Sequence, residues 1–159
     1  MAWRLPRAEW QGRGPSNRRR LRDLVKRGER PGVLAYVDGE PAGWCAVAPR
    51  EHYTFLSRSR VLAPVDGKPV WSISCLFVAR EHRRRGLAAG LVAAAAEMAA
   101  ARGARIVEGY PVEPYSPRAA AAFLWTGVPA VFAKAGFREV ARRSRTRPIV
   151  RRAMRRRPR

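Results

Sequence analysis

Midway along the chain an apolar run, Val70 to Ala79, leads through a short basic turn, Arg83-Arg84-Arg85-Gly86-Leu87-Ala88, directly into an alanine-rich segment. This order of strand, basic turn and helix constrains the fold more than any other feature. Cys75-Leu76-Phe77-Val78 is apolar on both faces, which suits a buried central strand. Leu87, Leu91, Ala95 and Met98 recur at close to helical spacing, and Gly103 marks the helix end. A turn entering a helix N-terminus suits an anion. The first-turn N–H groups lack internal partners and carry roughly half a positive charge, so a phosphate there gains about 0.3 to 2 kcal/mol besides its hydrogen bonds. Gly86 and Ala88 are small enough to let a pyrophosphate approach the backbone, and Gly86 can take angles closed to other residues. The three arginines add charge-assisted contacts. Singly, Gly86 reads as a helix start and the Arg triplet as a solvated run; their coincidence with a buried strand and a long helix favours the anion site.

The rest of the chain reads as mixed α/β. Ser16 is placed as the N-cap of a helix through Leu21, Leu24 and Val25, which Gly28 and Pro31-Gly32 stop. Val33 to Val37 and Ala42 to Ala48 form a hairpin through Asp38-Gly39. Pro49 to Pro69 is a long loop, with one helical turn near Tyr53 to Leu56. After the long helix come a strand from Arg105 to Tyr110, a helix from Thr126 to Ala135 closed by Gly136, and strands at Phe137 to Arg142 and Arg147 to Met154. The segment from strand through helix to strand around Gly86 is expected to be a right-handed crossover. The 159 residues suit a single domain over residues 1–150, followed by an Arg-rich tail from Arg151 to Arg159.

Arg83, Gly86 and Ala88 match the pyrophosphate loop of the GNAT superfamily of acyl-CoA N-acyltransferases, whose pattern is Gln or Arg, two residues, Gly, one residue, then Gly or Ala. The sequence around the loop also resembles that family. Cys75 to Arg80 looks like its preceding strand, and Ala133-Lys134-Ala135-Gly136-Phe137 like its helix end before a late strand. The likeness covers roughly Gly32 to Val150. It implies a central mixed β-sheet flanked by helices, with acetyl-CoA as cosubstrate and no metal. It also implies direct attack by a primary amine of an unidentified acceptor. Leu76, Phe77, Val78, Arg83, Arg84, Arg85, Gly86, Leu87 and Ala88 would bind the cosubstrate. A backbone N–H at Leu76 or Phe77 would polarise the thioester carbonyl.

The attacking amine must be neutral, and an alkyl amine of pKa about 10.4 needs a base near neutral pH. Glu108 and Tyr110, alternating on the second strand, are the candidates and would share a face with Ile106. The plainer reading has Glu108 pairing with an arginine and Tyr110 capping the core. The resemblance fails at Phe132, where many family members carry a tyrosine that protonates the departing thiolate. Either Tyr110 or Tyr115 substitutes, or the thiolate leaves unassisted or through water, or the protein binds acyl-CoA with little turnover. It also implies a first strand, for which only Ala2 to Leu5 is available, leaving an exposed sheet edge. Tyr53, Phe55, Tyr115, Phe123 and Trp125 are candidates to line the acceptor site, although core packing is favoured for Phe123.

The formal net charge of +21 raises a nucleic-acid hypothesis, including an acyltransferase acting on charged tRNA or a ribosomal protein. Almost all of the 33 basic residues are arginine, and alanine is abundant, as a GC-rich coding sequence would produce without selection for RNA binding. Nucleic acid is therefore admitted as a partner but not favoured. No run approaches the roughly 20 apolar residues of a membrane span, and the start has no signal-peptide character. A cytoplasmic monomer or homodimer is expected, with Cys45 and Cys75 reduced and buried.

Overall fold

Asp38 and Gly39 both take left-handed backbone angles, with φ of 51° and 82°, as the two central residues of a tight hairpin turn require. They join strands β1 (Gly32–Val37) and β2 (Glu40–Pro49). The computed structural model describes residues 3–6, 8–9, 14–115 and 123–155. Helix α1 (Pro15–Lys26) precedes the hairpin and α2 (Thr54–Arg58) follows it. Next come β3 (Trp71–Val78), α3 (Leu87–Ala101), β4 (Ile106–Gly109), α4 (Pro129–Lys134), β5 (Arg138–Arg142) and β6 (Pro148–Ala153). The six strands form one sheet in the order β1-β2-β3-β4-β6-β5. Only β3 and β4, joined through α3, are parallel; the other pairs are antiparallel. The mixed sheet with flanking helices is the expected fold class.

Both faces of the sheet are covered. On one, α3 buries Leu91, Val92, Ala95, Ala96 and Ala99 against Val47, Ile73 and Val107. Alanine favours the helix and, being small, lets its axis lie close to the strands. On the other, Trp3, Tyr53, Leu56, Leu62, Tyr110 and Ile149 form a second cluster. Neighbours in sequence divide between the faces as strand alternation demands: Val47 from Ala48, and Ile149 from Val150.

Several elements differ from the expectation. Gly14 caps α1 and Pro15 opens it, so Ser16 lies inside the first turn. The late helix begins at Pro129 instead of Thr126, because Gly127 turns left-handed at φ 83° and Val128 is held extended before proline. Trp3 to Leu5 make a turn where a first strand was expected, while Ala2 lies outside the described residues. β6 runs through Arg151 and Arg152 to Ala153, so the sheet continues past the boundary drawn at residue 150. Arg156 to Arg159 lie outside the described residues.

The feature that positions the site is a bulge in β3. Ala46 faces Cys75 and Val47 faces Ile73, so Ser74 has no partner across the ladder with β2. Trp71 and Ile73 before the bulge, and Leu76 and Val78 after it, all pack toward α3. Strict alternation would have sent the second pair the other way. Pairing with β4 ends at Ile73 and Gly109, and beyond it the two strands separate.

Gly109 is fixed at that divergence by a close approach. A Cβ there would overlap the ring of Phe132, which is fully buried and meets Phe137 edge-on at 5.3 Å. Gly109→Ala is therefore expected to lower stability by about 1–3 kcal/mol through overpacking. Urea denaturation should register this as a lower midpoint with an unchanged slope.

Candidate active site

The basic turn is wound as an anion cradle. Arg84 and Gly86 both take left-handed angles, with φ of 62° and 83°, and α3 begins at Leu87 without a side-chain cap. Among the described residues the amides of 84–88 find no acceptor, while the Gly86 carbonyl already receives the amides of Ala89 and Gly90 at 3.0 and 3.2 Å. Unpaired N–H groups alternating in hand make a concave nest for negative charge, and the helix dipole adds to it. A Cβ on Gly86 would meet nothing within 4 Å, so glycine serves the backbone angle here and leaves the space open. Arg83 folds back, its Nε donating to the Val78 carbonyl at 3.0 Å.

This cradle is one end of a groove of about 720 Å³. Leu76, Phe77 and Val78 form its floor beside Arg83, Arg84, Gly86, Leu87 and Ala88. Arg85 is exposed and does not line it. His82, whose buried Nδ1 lacks a partner, also lines the groove, as do Trp125, Val128, Val131 and Lys134. Their clearest sequence signal was the Ala133–Phe137 stretch that ends α4.

In the gap between β3 and β4 the Leu76 amide donates to the Trp125 carbonyl at 2.7 Å, and the Val112 amide to the Gly127 carbonyl at 2.9 Å. The Ala79 amide bonds β2 through Ala42, so by alternation Phe77 also faces β2, whereas Leu76 and Val78 face the gap. Of the two backbone donors expected there, Leu76 is the one turned inward. Arg147 supports this loop, its Nη1 reaching Thr126 Oγ1 at 3.0 Å.

Behind Trp125 lies a second cavity of about 180 Å³, on the opposite side of β3. Trp3, Trp44, Tyr53 and Trp125 wall it, with Ser74, Cys75 and Arg4. Trp125 lines both cavities. Of the aromatics expected at an acceptor site, Tyr53 and Trp125 are here. Phe55 stacks on Trp3 at 5.0 Å, and Tyr115 is 81% exposed. Phe123, favoured as a core residue, is 74% exposed, so the core reading is corrected: its neighbours Leu124 and Trp125 are the ones that turn inward. The middle of the Tyr110 to Trp125 segment, residues 116–122, lies outside the described residues.

Glu108 and Tyr110 share a face and are bonded to each other, Tyr110 Oη donating to Glu108 Oε1 at 2.6 Å. Arg50 Nη1 reaches the same oxygen at 3.1 Å, and Arg151 Nε reaches Oε2 at 2.6 Å. Ser72 Oγ lies 2.8 Å from the Tyr110 hydroxyl. Glu108 is fully buried, and neither residue lines either cavity. Burial, reinforced by the Glu108 charge, holds the Tyr110 hydroxyl well above the ordinary phenol range. Burial likewise raises the thiols of Cys45 and Cys75, both unpaired; Cys75 is only half-buried.

A sequence profile described as the Acetyltransferase (GNAT) family matches residues 1–124. No curated protein matches the chain. Among solved structures, ribosomal-protein-alanine N-acetyltransferase from Brucella melitensis aligns with a TM-score of 0.55 at 17% identity, covering 87% of this chain and 77% of that one. A GNAT-family acetyltransferase from Streptococcus agalactiae aligns at 0.54 and 14% identity, covering 92% and 78%. The NatC complex bound to Gag peptide and CoA aligns at 0.53 and 12% identity, covering 91% and 84%. At these identities the likeness establishes the fold.

Proposed function

The chain belongs to the GNAT acetyltransferase family, and from that premise we propose that it transfers an acetyl group from acetyl-CoA to a primary amine by direct attack. The observation that carries this reading is the continuity of the groove. It runs from the amides of 84–88 to the inward-facing Leu76 amide and meets a second, amine-sized cavity at Trp125. The cosubstrate supplies an activated thioester; the chain's own residues do the rest. The cradle and the N-terminus of α3 hold the pyrophosphate, with Arg83 and Arg84 beside it. Phe77 and Val78 flank the pantetheine arm. The Leu76 amide, released by the Trp125 carbonyl, donates to the thioester oxygen as it gains charge.

The acceptor enters through the second cavity. Its nitrogen bonds the acyl carbon, the carbon–sulfur bond breaks, and the thiolate leaves. No carboxylate lines either cavity among the described residues, so the amine's proton leaves to water. A thiol of pKa about 8.5 departs without full protonation, which suits Phe132 in the place of the family's tyrosine. Glu108 and Tyr110 enter as positioning residues. With Arg50, which also bonds the Leu56 and Leu62 carbonyls at 3.2 and 2.6 Å, they brace the loop that frames the acceptor. Tyr110 backs Trp3 at 5.6 Å between ring centroids.

A second reading, acyl-CoA binding with little turnover, draws on Phe132 and on the Trp125 carbonyl already bonded to Leu76. Calorimetry with acetyl-CoA, followed by CoA release with a panel of amines, separates the two. Binding with amine-dependent release supports transfer, binding without release supports the second reading, and a folded chain that does not bind refutes both.

Arg84 supplies a further check. A left-handed arginine costs roughly 1–2 kcal/mol of backbone strain, which glycine would relieve. Arg84→Gly is expected to leave stability equal or up to about 1 kcal/mol higher. Acetyl-CoA affinity should fall about tenfold with the lost charge-assisted contact. Thermal melting and calorimetry on the same sample read both.

A further inference from the structure

Two polar groups in the second cavity lack well-formed partners among the described residues. Tyr53 is 1% exposed, and its hydroxyl, although close enough to Ser74 to feel it, makes no well-formed hydrogen bond among the described residues. The Arg4 guanidinium lies 4.9 Å above the Tyr53 ring centroid and forms no ion pair among the described residues. Two of the carboxylates on that side are engaged elsewhere, Glu9 with Arg20 at 3.2 Å and Glu29 with Arg27 at 3.6 Å. The third, Asp23, lines the adjoining outer cavity with Arg4 but forms no ion pair with it or with any other described residue. A buried hydroxyl without a well-formed partner is costly, and the Arg4 guanidinium, over the Tyr53 ring, lines this cavity as well as the outer one.

The remaining walls are flat and apolar. Trp3 and Trp125 meet edge-on at 5.3 Å, and Trp44 completes the box. With no carboxylate in the lining, a second ammonium on the acceptor would find no counter-charge and would face Arg4. A carboxylate would satisfy the guanidinium and the Tyr53 hydroxyl together. The cavity's volume of about 180 Å³ is below the roughly 300–1,000 Å³ of pockets for drug-sized ligands. It suits one small molecule.

We propose that the acceptor is a free α-amino acid with an apolar side chain. Arg4 and the Tyr53 hydroxyl hold its carboxylate, the tryptophans pack its side chain, and its α-amine points past Trp125 toward Leu76. This rests on the transfer reading for its chemistry but not for its recognition. The net charge of +21 also draws a carboxylate-bearing acceptor in preference to a polyamine.

The test compares L-phenylalanine, L-leucine and L-methionine with their amides and with spermidine, using the full chain and acetyl-CoA. CoA release should favour each acid over its amide by about 10- to 100-fold in kcat/KM, as expected for a charged hydrogen bond. Arg4→Gln should erase that preference while leaving acetyl-CoA affinity unchanged. Tyr53→Phe should reduce it in part while the variant still melts as a folded protein, since the hydroxyl it removes makes no well-formed hydrogen bond among the described residues. Amides accepted as well as acids, or a preference that survives Arg4→Gln, would overturn the proposal. Where no amine releases CoA, tryptophan fluorescence titrated with L-phenylalanine and its amide decides. Acid-selective binding lost in Arg4→Gln retains the proposal and rejects transfer, whereas equal or absent binding rejects the proposal.

Discussion

Gly86→Glu is expected to abolish acetyl-CoA binding, with at least a 100-fold loss of affinity by calorimetry, while the protein stays folded. The Cβ meets nothing, since the space at Gly86 is open within 4 Å. The fold bears only the left-handed strain, roughly 1–2 kcal/mol, out of the 5–15 kcal/mol typical of a domain. The carboxylate is favoured where it lands, beside the N-terminus of α3 and the free amides of 84–88. It therefore occupies the cradle as a built-in anion and repels the pyrophosphate. Gly86→Ala carries the strain without the charge and should lose far less affinity. Equal losses in the two variants would place the effect in the backbone, and wild-type binding by Gly86→Glu would remove the pyrophosphate from this turn.

Glu108→Ala is expected to cost about 3–5 kcal/mol, as removal of one partner from a buried ion pair does. Glu108 has no exposed surface, and the Arg50 and Arg151 side chains it neutralises are 14% and 11% exposed. Arg151 keeps Asp66 at 2.8 Å, but Arg50 is left with only neutral oxygens. Glu108→Gln preserves shape and one acceptor and should lose less; urea midpoints measure both. The network also carries two pH-dependent contributions to stability. Arg151 holds the Asp66 carboxyl below its ordinary 3.8. Its contribution is therefore present above that value and lost as pH falls through the lowered one. The Tyr110 hydroxyl is raised above its ordinary 10.0, chiefly by burial and then by Glu108. Its contribution is present below pH 10 and lost as pH rises toward the higher folded value, a limb that Tyr110→Phe should remove.

The parts legible in the sequence were those written in local chemistry. Asp38-Gly39 announced the hairpin, the alanine run announced α3, and small residues after three arginines announced the left-handed turn into it. The bulge at Ser74 left no local mark, because it exists only in the register between β2 and β3. Without it, Leu76 and Phe77 could not be told apart as inward-facing donors. Trp3, Arg4 and Trp44 were likewise illegible as cavity residues, since their meeting with Tyr53 and Trp125 depends on distant segments packing over one face. Glu108 and Tyr110 were correctly expected to share a face, but Arg50 and Arg151, which enclose Glu108, come from the turn after β2 and the middle of β6, 58 and 43 residues away.

If the Leu76 amide serves the thioester as proposed, its bond to the Trp125 carbonyl makes part of the chain a tethered competitor for that site. Apparent affinity is then the intrinsic affinity scaled by the fraction of molecules in which the loop has withdrawn. Every 1.4 kcal/mol that favours the docked loop weakens measured binding about tenfold. Arg147, which grips Thr126 without touching the groove, is one setting of that equilibrium. On the proposed function, cosubstrate affinity is then set in part by residues that never meet the cosubstrate.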